Sequence, residues 1–205
     1  MLGGRDRAES VLAKIRVALA AGVDWVQIRE KDLNARTLFA LAREAVRAAA
    51  EISGSALVIV NDRFDVALAA GAAGVHLGGE SISAPDVVSW CSAGNAPADF
   101  KVGVSCHSLE HARDAERAGA SYVFFGPIFD TPSKRPFGPP QGISRLAEVC
   151  QAAKIPVIAI GGINEDSGAD CLRSGAAGIA AIRMIQDATD PGKLANAIER
   201  LRHIK

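Results

Sequence analysis

The sequence predicts an α/β fold, a (β/α)8 TIM barrel whose first strand is missing or truncated. Two observations favour this class. Short apolar segments of strand type alternate with Ala-rich amphipathic segments of helix type, and the strand starts advance by about 26 residues, the length of one βα unit. The strands are apolar almost throughout, which is typical of a parallel sheet covered on both faces. We expect a single domain over residues 1–205.

The predicted elements follow from apolar periodicity and from glycines that end helices. Val11, Ile15 and Leu19 share one face of a first helix over residues 7–21, and Gly22 stands where a C-terminal cap belongs. Apolar strands are predicted at residues 25–29, 56–61, 74–77, 101–105, 122–126, 157–161 and 178–183. Amphipathic helices are predicted at residues 35–51, 64–70, 84–90, 109–118, 143–153, 165–173 and 191–204.

The number of predicted strands is one short of a complete barrel, which should begin with a strand. Either the start of the sequence lies too late, or the first strand is absent. In the second case a gap is expected between the first and the last visible strand, and it leaves two sheet edges without a partner.

Composition and charge limit the classes of partner. Lys and Arg number 23 and Asp and Glu number 23, which argues against nucleic acid or an anionic membrane surface as the main partner. The four cysteines show no CxxC or metal-ligand spacing, so reduced thiols in the cytoplasm are expected. No apolar stretch reaches transmembrane length, and no signal peptide is recognised. A homo-oligomer is left open.

A strand that turns into a polar loop is the strongest local signal. Residues 122–125 favour a buried strand, and Gly126 and Pro127 interrupt its hydrogen bonding. The loop then offers two hydroxyls, on Thr131 and Ser133, and the cation of Lys134. Such groups suit a cluster of anionic oxygens. The alternative is an ordinary solvated loop.

Polar side chains also follow the first predicted strand. In a barrel of this class the functional face lies at the carboxyl ends of the strands. The period of two places Gln27, Arg29 and Lys31 on one face of the strand, with two cations directed into the mouth. The alternative is a structural layer of charges in which these cations pair with Asp62 or Asp65.

The next three strand ends add carboxylates, an amide and a histidine. Asn61 and Asp62 end the second strand and Glu80 follows the third, so Asp62 and Glu80 are candidates to bind Mg²⁺. Asp62 could instead cap the following helix. Ser105 and His107 follow the fourth strand, and either could face a ligand. A surface histidine without a catalytic role is the alternative for His107.

The last two strands are followed by Gly161-Gly-Ile-Asn164 and Ala181-Ile-Arg-Met184. In barrels of this class these loops often bind phosphate with backbone amides and a helix N-terminus. The mouth is therefore predicted to hold a monophosphate on one side and a more highly charged anion with magnesium on the other. Two anion sites indicate two phosphorylated groups.

These motifs, taken together, resemble the thiamine phosphate synthase family and its sister, the thiazole tautomerases. The resemblance extends from Ala21 over nearly the whole chain. It is carried by Gln27-Ile-Arg-Glu-Lys31, Asn61-Asp62, Gly74-Val-His-Leu-Gly78, Gly103-Val-Ser-Cys-His-Ser108, Gly126-Pro-Ile-Phe-Asp-Thr-Pro-Ser-Lys134, Gln141-Gly142 and Ile160-Gly-Gly-Ile163.

The resemblance implies a barrel that joins hydroxymethylpyrimidine diphosphate to hydroxyethylthiazole phosphate and releases pyrophosphate. It implies that the diphosphate is bound by Gln27, Arg29, Lys31, Asn61, Ser105 and Lys134. Of these, the catalytic residues are expected to be Arg29, Lys31, Ser105 and Lys134. The thiazole phosphate would be surrounded by Thr131, Ser133, Gly162, Ile182 and Arg183. Magnesium would be bound by Asp62, with Glu80 as a substitute second ligand.

Three departures from the family pattern accompany the resemblance. Ser81 stands where the family has a second magnesium aspartate, Arg183 stands where it usually has a serine, and the opening strand is absent. Two alternatives to the synthase follow. One is the tautomerase, which carries a histidine where this chain has Pro127, and the other is a catalytically impaired phosphate-binding barrel.

Overall fold

Helices and strands alternate along the chain in the computed structural model, which describes residues 4–131, 139–188 and 190–204. The strands are β1 Trp25–Ile28, β2 Leu57–Asn61, β3 Gly74–Leu77, β4 Lys101–Cys106, β5 Tyr122–Phe125, β6 Val157–Ile160 and β7 Gly178–Ala180. The helices are α1 Gly4–Ala20, α2 Ala35–Ile52, α3 Phe64–Ala69, α4 Ala84–Trp90, α5 Leu109–Arg117, α6 Gly142–Ala152, α7 Glu165–Arg173, α8 Arg183–Gln186 and α9 Pro191–Arg202. A π-helical turn, Cys91–Asn95, continues α4.

The strands form one curled parallel sheet in the order β1 to β7, each hydrogen-bonded to the next along the chain. In the ranges that the structure describes, β1 and β7 are the two edges of this sheet. The predicted α/β barrel with one strand fewer than eight is therefore confirmed. Because all strands run in the same direction, their carboxyl ends meet at one face of the molecule, where the polar residues follow.

The outward faces of the strands and the inner faces of the helices form the core. On α2 the buried positions repeat at intervals of three and four, which is the spacing of one helix face: Leu38, Leu41, Ala42, Ala45, Ala48 and Ala49. Small alanines allow α2 to lie close to the strands. One apolar cluster joins α1 to α4 with the first four strands, and a second joins α5 to α7 with β4 to β6.

Most element bounds agree with the predictions to within one or two residues, but the last strand does not. The sequence predicted a strand over residues 178–183, whereas β7 ends at Ala180 and a short helix begins at Arg183. Ile182 already has αR backbone angles, and its carbonyl accepts from the amide of Gln186 at 2.9 Å. The apolar run was long enough for a strand, but periodicity alone cannot separate a short strand from a helical turn.

All four cysteines are free, and Cys106 and Cys171 are buried. Among the described residues, no helix combines the length and the hydropathy needed to cross a bilayer.

Candidate active site

Aromatic rings fill the interior of the barrel below its mouth. Trp25 on β1 reaches Tyr122 on β5, edge to face, with ring centroids 4.8 Å apart. The His76 ring lies 4.3 Å from Phe124 between centroids. Gly103 makes room for this packing, because a Cβ there would lie 2.1 Å from a ring carbon of Tyr122. These rings, which we call the aromatic floor, close the barrel beneath the strand ends.

A row of polar side chains lies across β1 to β4. Gln27 donates to the Asn61 side-chain oxygen at 2.9 Å, and His76 Nε2 lies 2.9 Å from Ser105 Oγ. Asn61 and His76 are register partners in neighbouring strands, so the two hydrogen-bonded pairs adjoin. The structure thus brings together three predicted site residues, Gln27, Asn61 and Ser105, in what we call the polar row.

His76 is the member of this row for which no role was predicted from the sequence. It is buried, and its second ring nitrogen, Nδ1, lies 3.3 Å from the Tyr122 hydroxyl. Burial lowers the pKa of His76 to about 4, although the negative charge of Asp62 acts in the opposite direction. The imidazole is therefore neutral at physiological pH. The signal in the sequence that could have identified this residue is a histidine inside the otherwise apolar strand Gly74–Leu77.

Asp62 occupies an unusual backbone conformation at the end of β2. Its φ of 61° lies in the left-handed region, which aspartate tolerates better than most residues. Its carboxylate accepts from the Ser81 hydroxyl, and Ser81 Oγ in turn accepts from the Gly78 amide at 2.7 Å. The helix-capping alternative for Asp62 is wrong, because Arg63 is the N-cap of α3 and makes no side-chain cap bond.

The oxygen atoms around Asp62 are of the kind that Mg²⁺ prefers, a carboxylate with a hydroxyl beside it. Ser81 supplies that hydroxyl, and Glu80 precedes it in the loop with an exposed side chain. Within the described residues, no three His, Cys, Asp or Glu side chains converge on one point. An ion here would take most of its ligands from substrate oxygens and water. Binding by Asp62 and Glu80 stays a prediction.

A depression of about 240 Å³ lies between the ends of β1 and β2. It is lined by Glu30, Lys31, Leu33, Leu38, Asn61, Asp62 and Arg63. Glu30 and Lys31 follow β1, and both line the depression. β1 ends at Ile28, so the period of two does not extend to the turn that follows. Lys31 still reaches the depression that Asn61 and Asp62 line.

The alternative in which Arg29 and Lys31 pair with Asp62 or Asp65 in a structural layer of charges does not describe this turn. Asp65 pairs with Arg63, whose Nε donates at 2.8 Å. Over the described ranges, no carboxylate forms an ion pair with Arg29 or Lys31, and both residues are exposed. Glu30 and Asp32 pair instead with Arg7 on α1, at 2.6 and 3.0 Å. Lys31 is therefore available to an anion.

The loop between β5 and α6 is fixed at both ends. Ile128 and Phe129 donate to the carbonyls of Ile160 and Gly161 at 2.9 and 3.0 Å, which continues the β5–β6 pairing beyond the strands. The Gln141 amide returns to the Pro127 carbonyl at 2.8 Å. Thr131 lies within the described part of this loop. Ser133 and Lys134 fall in residues 132–138, outside the described residues.

The turn after β6 packs against this loop. Gly162 has a φ of 69°, and a Cβ there would lie 2.7 Å from Phe129 Cβ. Because β6 and β7 are neighbours, this turn adjoins the short helix α8, which begins with Arg183 after the exposed Ile182. A glycine turn beside a short extra helix is the arrangement with which such barrels bind phosphate.

His107 lies at the rim, after β4. Its Nδ1 donates to the carbonyl of Gly126 at the end of β5, so this nitrogen carries the proton. In the neutral ring Nε2 is then a hydrogen-bond acceptor. The structure thus gives the exposed His107 a fixed tautomer and a contact with the neighbouring strand, which also agrees with the alternative of a hydrogen-bonded surface histidine.

A parallel βα barrel with cations, an amide, a carboxylate and a glycine turn at one mouth defines a class of protein, the barrel enzymes that act on phosphorylated small molecules. The sequence model described as thiamine monophosphate synthase matches residues 2–185. The chain belongs to this family.

Individual relatives support the same assignment. The thiamine-phosphate synthase of Roseiflexus castenholzii is 41% identical over 92% of this chain and 80% of its own length. That of Moorella thermoacetica is 41% identical over 98% of this chain and 90% of its own. The solved structure of thiamine phosphate pyrophosphorylase from Pyrococcus furiosus superposes with a TM-score of 0.82 at 33% identity. That superposition covers 96% of this chain and 91% of the other. The chain is thus a transferase of the thiamine-phosphate synthase type.

Proposed function

We propose that this enzyme joins hydroxymethylpyrimidine diphosphate to hydroxyethylthiazole phosphate and releases pyrophosphate. The observation that carries the choice of substrates is the depression between β1 and β2, where Lys31, Asn61 and Asp62 converge beside the polar row. A cation, an amide and a carboxylate suit a diphosphate with its metal ion. On the other side of the mouth, the Gly162 turn and α8 suit a monophosphate.

The proposed reaction needs charge stabilisation more than proton transfer. The bond between the pyrimidine methylene carbon and the diphosphate oxygen breaks, and its electron pair leaves with the diphosphate. The thiazole nitrogen then forms a bond to that carbon and becomes positively charged. Arg29, Lys31 and Lys134 would neutralise the growing charge of the leaving group. Gln27 and Asn61 would orient the diphosphate substrate.

A magnesium ion would fit the oxygen atoms at Asp62 and Ser81, with Glu80 as a further candidate ligand. When bound, it would supply positive charge to the leaving diphosphate. Ser81 contributes a neutral oxygen where a carboxylate would add a second negative charge. The proposal therefore assigns Asp62 the main part in holding the ion. The cytoplasmic location predicted from the cysteine pattern stays a prediction.

The test is a two-substrate assay of pyrophosphate release, with magnesium and with chelator. We expect release and thiamine phosphate formation only when both substrates and the metal are present. Asp62→Asn and Lys134→Ala should each lower turnover about a hundredfold, because each removes charge stabilisation made mainly in the transition state.

The matched control is Asp65→Asn. It removes a carboxylate three residues from Asp62, and that carboxylate is exposed and pairs only with Arg63 in the described part of the chain. Its turnover should stay within about twofold of the unaltered enzyme. If Asp62→Asn and Asp65→Asn lost equal turnover, or if Asp62→Asn kept full activity, the assignment of Asp62 to the magnesium site would be contradicted.

The thiazole tautomerase is a second candidate, and His107 is the observation that favours it. With Nδ1 bonded to the Gly126 carbonyl, Nε2 is left as a base for moving a proton on a thiazole carboxylate phosphate. That reaction would be independent of metal and would be lost in His107→Ala. Neither reaction is expected from an impaired barrel, which would bind both phosphates without turnover.

A further inference from the structure

His76 connects the aromatic floor to Ser105, and the two contacts of its neutral ring can be arranged in only two ways. In the first, the Tyr122 hydroxyl donates to Nδ1, and Nε2 carries the proton and donates to Ser105 Oγ. In the second, Nδ1 carries the proton and donates to Tyr122, and the Ser105 hydroxyl donates to Nε2. The two arrangements leave different hydroxyl protons without an acceptor.

The second arrangement leaves the Tyr122 proton without an acceptor. Tyr122 is only 1% exposed, and its hydroxyl has no polar neighbour other than His76 in the described part of the chain. A buried donor with neither protein nor water as acceptor is costly. A charged imidazole would donate from both nitrogens, so it too would leave the buried Tyr122 proton without an acceptor.

The first arrangement leaves only the Ser105 proton without an acceptor. Ser105 is half-buried at the carboxyl end of β4, where the barrel opens to its mouth. Its hydroxyl has no contact other than His76 within the described ranges, so its proton can be directed to a bound molecule. In this arrangement the Tyr122 hydroxyl proton and both His76 ring nitrogens have hydrogen-bond partners. The donor left over is the Ser105 hydroxyl, at the mouth of the barrel where a substrate arrives.

We propose that Tyr122 and His76 fix the Ser105 hydroxyl as a hydrogen-bond donor to an acceptor atom of the pyrimidine diphosphate. His76 and Tyr122 are positioning residues, because they act through Ser105. This inference rests on the proposed function for the identity of the substrate. The tautomer itself does not depend on it, and the two claims can therefore fail separately.

The first experiment observes the tautomer directly in the unaltered enzyme without ligand. Nitrogen-15 NMR of the histidine side chains at neutral pH distinguishes protonated from unprotonated ring nitrogens. The His76 signals are assigned by their loss in His76→Gln, with His111→Gln, on the exposed surface of α5, as the control. We expect a protonated Nε2 and an unprotonated Nδ1. The reverse pattern, or two protonated nitrogens, overturns the proposal whatever the enzyme catalyses.

The second experiment tests the consequence for substrate binding. Ser105→Ala should raise KM for the pyrimidine diphosphate about tenfold and leave KM for the thiazole phosphate within about twofold. Tyr122→Phe keeps the ring packing and should raise the same KM about threefold, because the tautomer is no longer fixed.

The double variant Tyr122→Phe/Ser105→Ala separates positioning from packing. If Tyr122 acts through Ser105, the double variant should equal Ser105→Ala alone. If the KM increases of the two single variants multiply in the double variant, or if the KM values for both substrates change equally, Tyr122 has a merely structural role. Either result would overturn the proposal. If no pairing of these substrates gives product while the NMR pattern is as expected, the proposed function fails and the tautomer assignment stands.

Discussion

The neutral imidazole of His76 makes the stability of the protein depend on pH. Its pKa is about 4 in the folded protein, against an ordinary value of 6.5, because burial opposes the charged form. Between these values the unfolded chain binds a proton that the folded protein does not. The free energy of unfolding therefore falls as the pH falls from 6.5 towards 4, by about 3 kcal/mol for this group.

His76→Gln should remove this part of the pH dependence. Urea unfolding at pH 7 and at pH 4.5 measures it, with His111→Gln as the control because His111 is exposed. We expect the unaltered protein and His111→Gln to lose more stability on acidification than His76→Gln does. An identical loss in all three proteins would show that the folded state does not hold His76 neutral.

Single residues differed in how far the sequence could place them. Gln27, Asn61 and Ser105 were predicted because polar side chains at strand ends stand out from the apolar runs before them, and the structure brings them together. His76 lies inside a strand, and its role depends on partners from β4 and β5. Those contacts are distant in sequence, and no local pattern encodes them.

At the level of elements, the turns after β5 and β6 depend on each other. The Gly162 turn lies so close to Phe129 that any side chain at residue 162 would collide with it, and its φ of 69° disfavours other residues. Gly162→Ala should lower the free energy of unfolding by about 2 kcal/mol or more, through strain and displacement of the loop. Urea unfolding measures the change.

Two other glycines provide matched controls for this substitution. Gly54 has a φ of 74° with nothing within 4 Å of a new Cβ, and Gly178 has open space without a positive φ. Gly54→Ala should lower the free energy of unfolding only by the cost of a positive φ. Gly178→Ala should show neither that cost nor a collision of the new side chain. A loss in Gly162→Ala no larger than that in Gly54→Ala would contradict the close packing of the two turns.

The sequence predicted the existence of these elements better than their ends. Alternating apolar and amphipathic segments gave all seven strands, because each period reflects which face is buried. The end of β7 was missed, because Ala181 and Ile182 after Ala180 are apolar and continue the strand-like composition.

At the level of the whole molecule, contacts between helices bridge the two edges of the sheet. α1 packs against α9, and Arg202 on α9 donates to the Gly22 carbonyl at 2.5 Å and to Asp24 at 2.7 Å, just before β1. The sequence predicted the gap from the strand count. It could not predict this bridge, because Arg202 and Gly22 are 180 residues apart.

Arg202→Ala should lower the free energy of unfolding by about 1 kcal/mol, because it removes a bond to a backbone carbonyl as well as an exposed ion pair. Arg173→Ala is the matched control. Arg173 pairs only with Asp170 on its own helix in the described part of the chain, and its loss should change stability by about 0.5 kcal/mol or less. Equal effects in urea unfolding would contradict the bridging role of Arg202.

The most direct test of the account is a crystal structure with magnesium and pyrophosphate bound. The proposed site predicts pyrophosphate in the depression between β1 and β2, within about 3 Å of the Lys31 ammonium and the Asn61 amide. It also predicts a magnesium ion on the Asp62 carboxylate. Pyrophosphate bound away from this depression, or magnesium held without Asp62, would contradict the account.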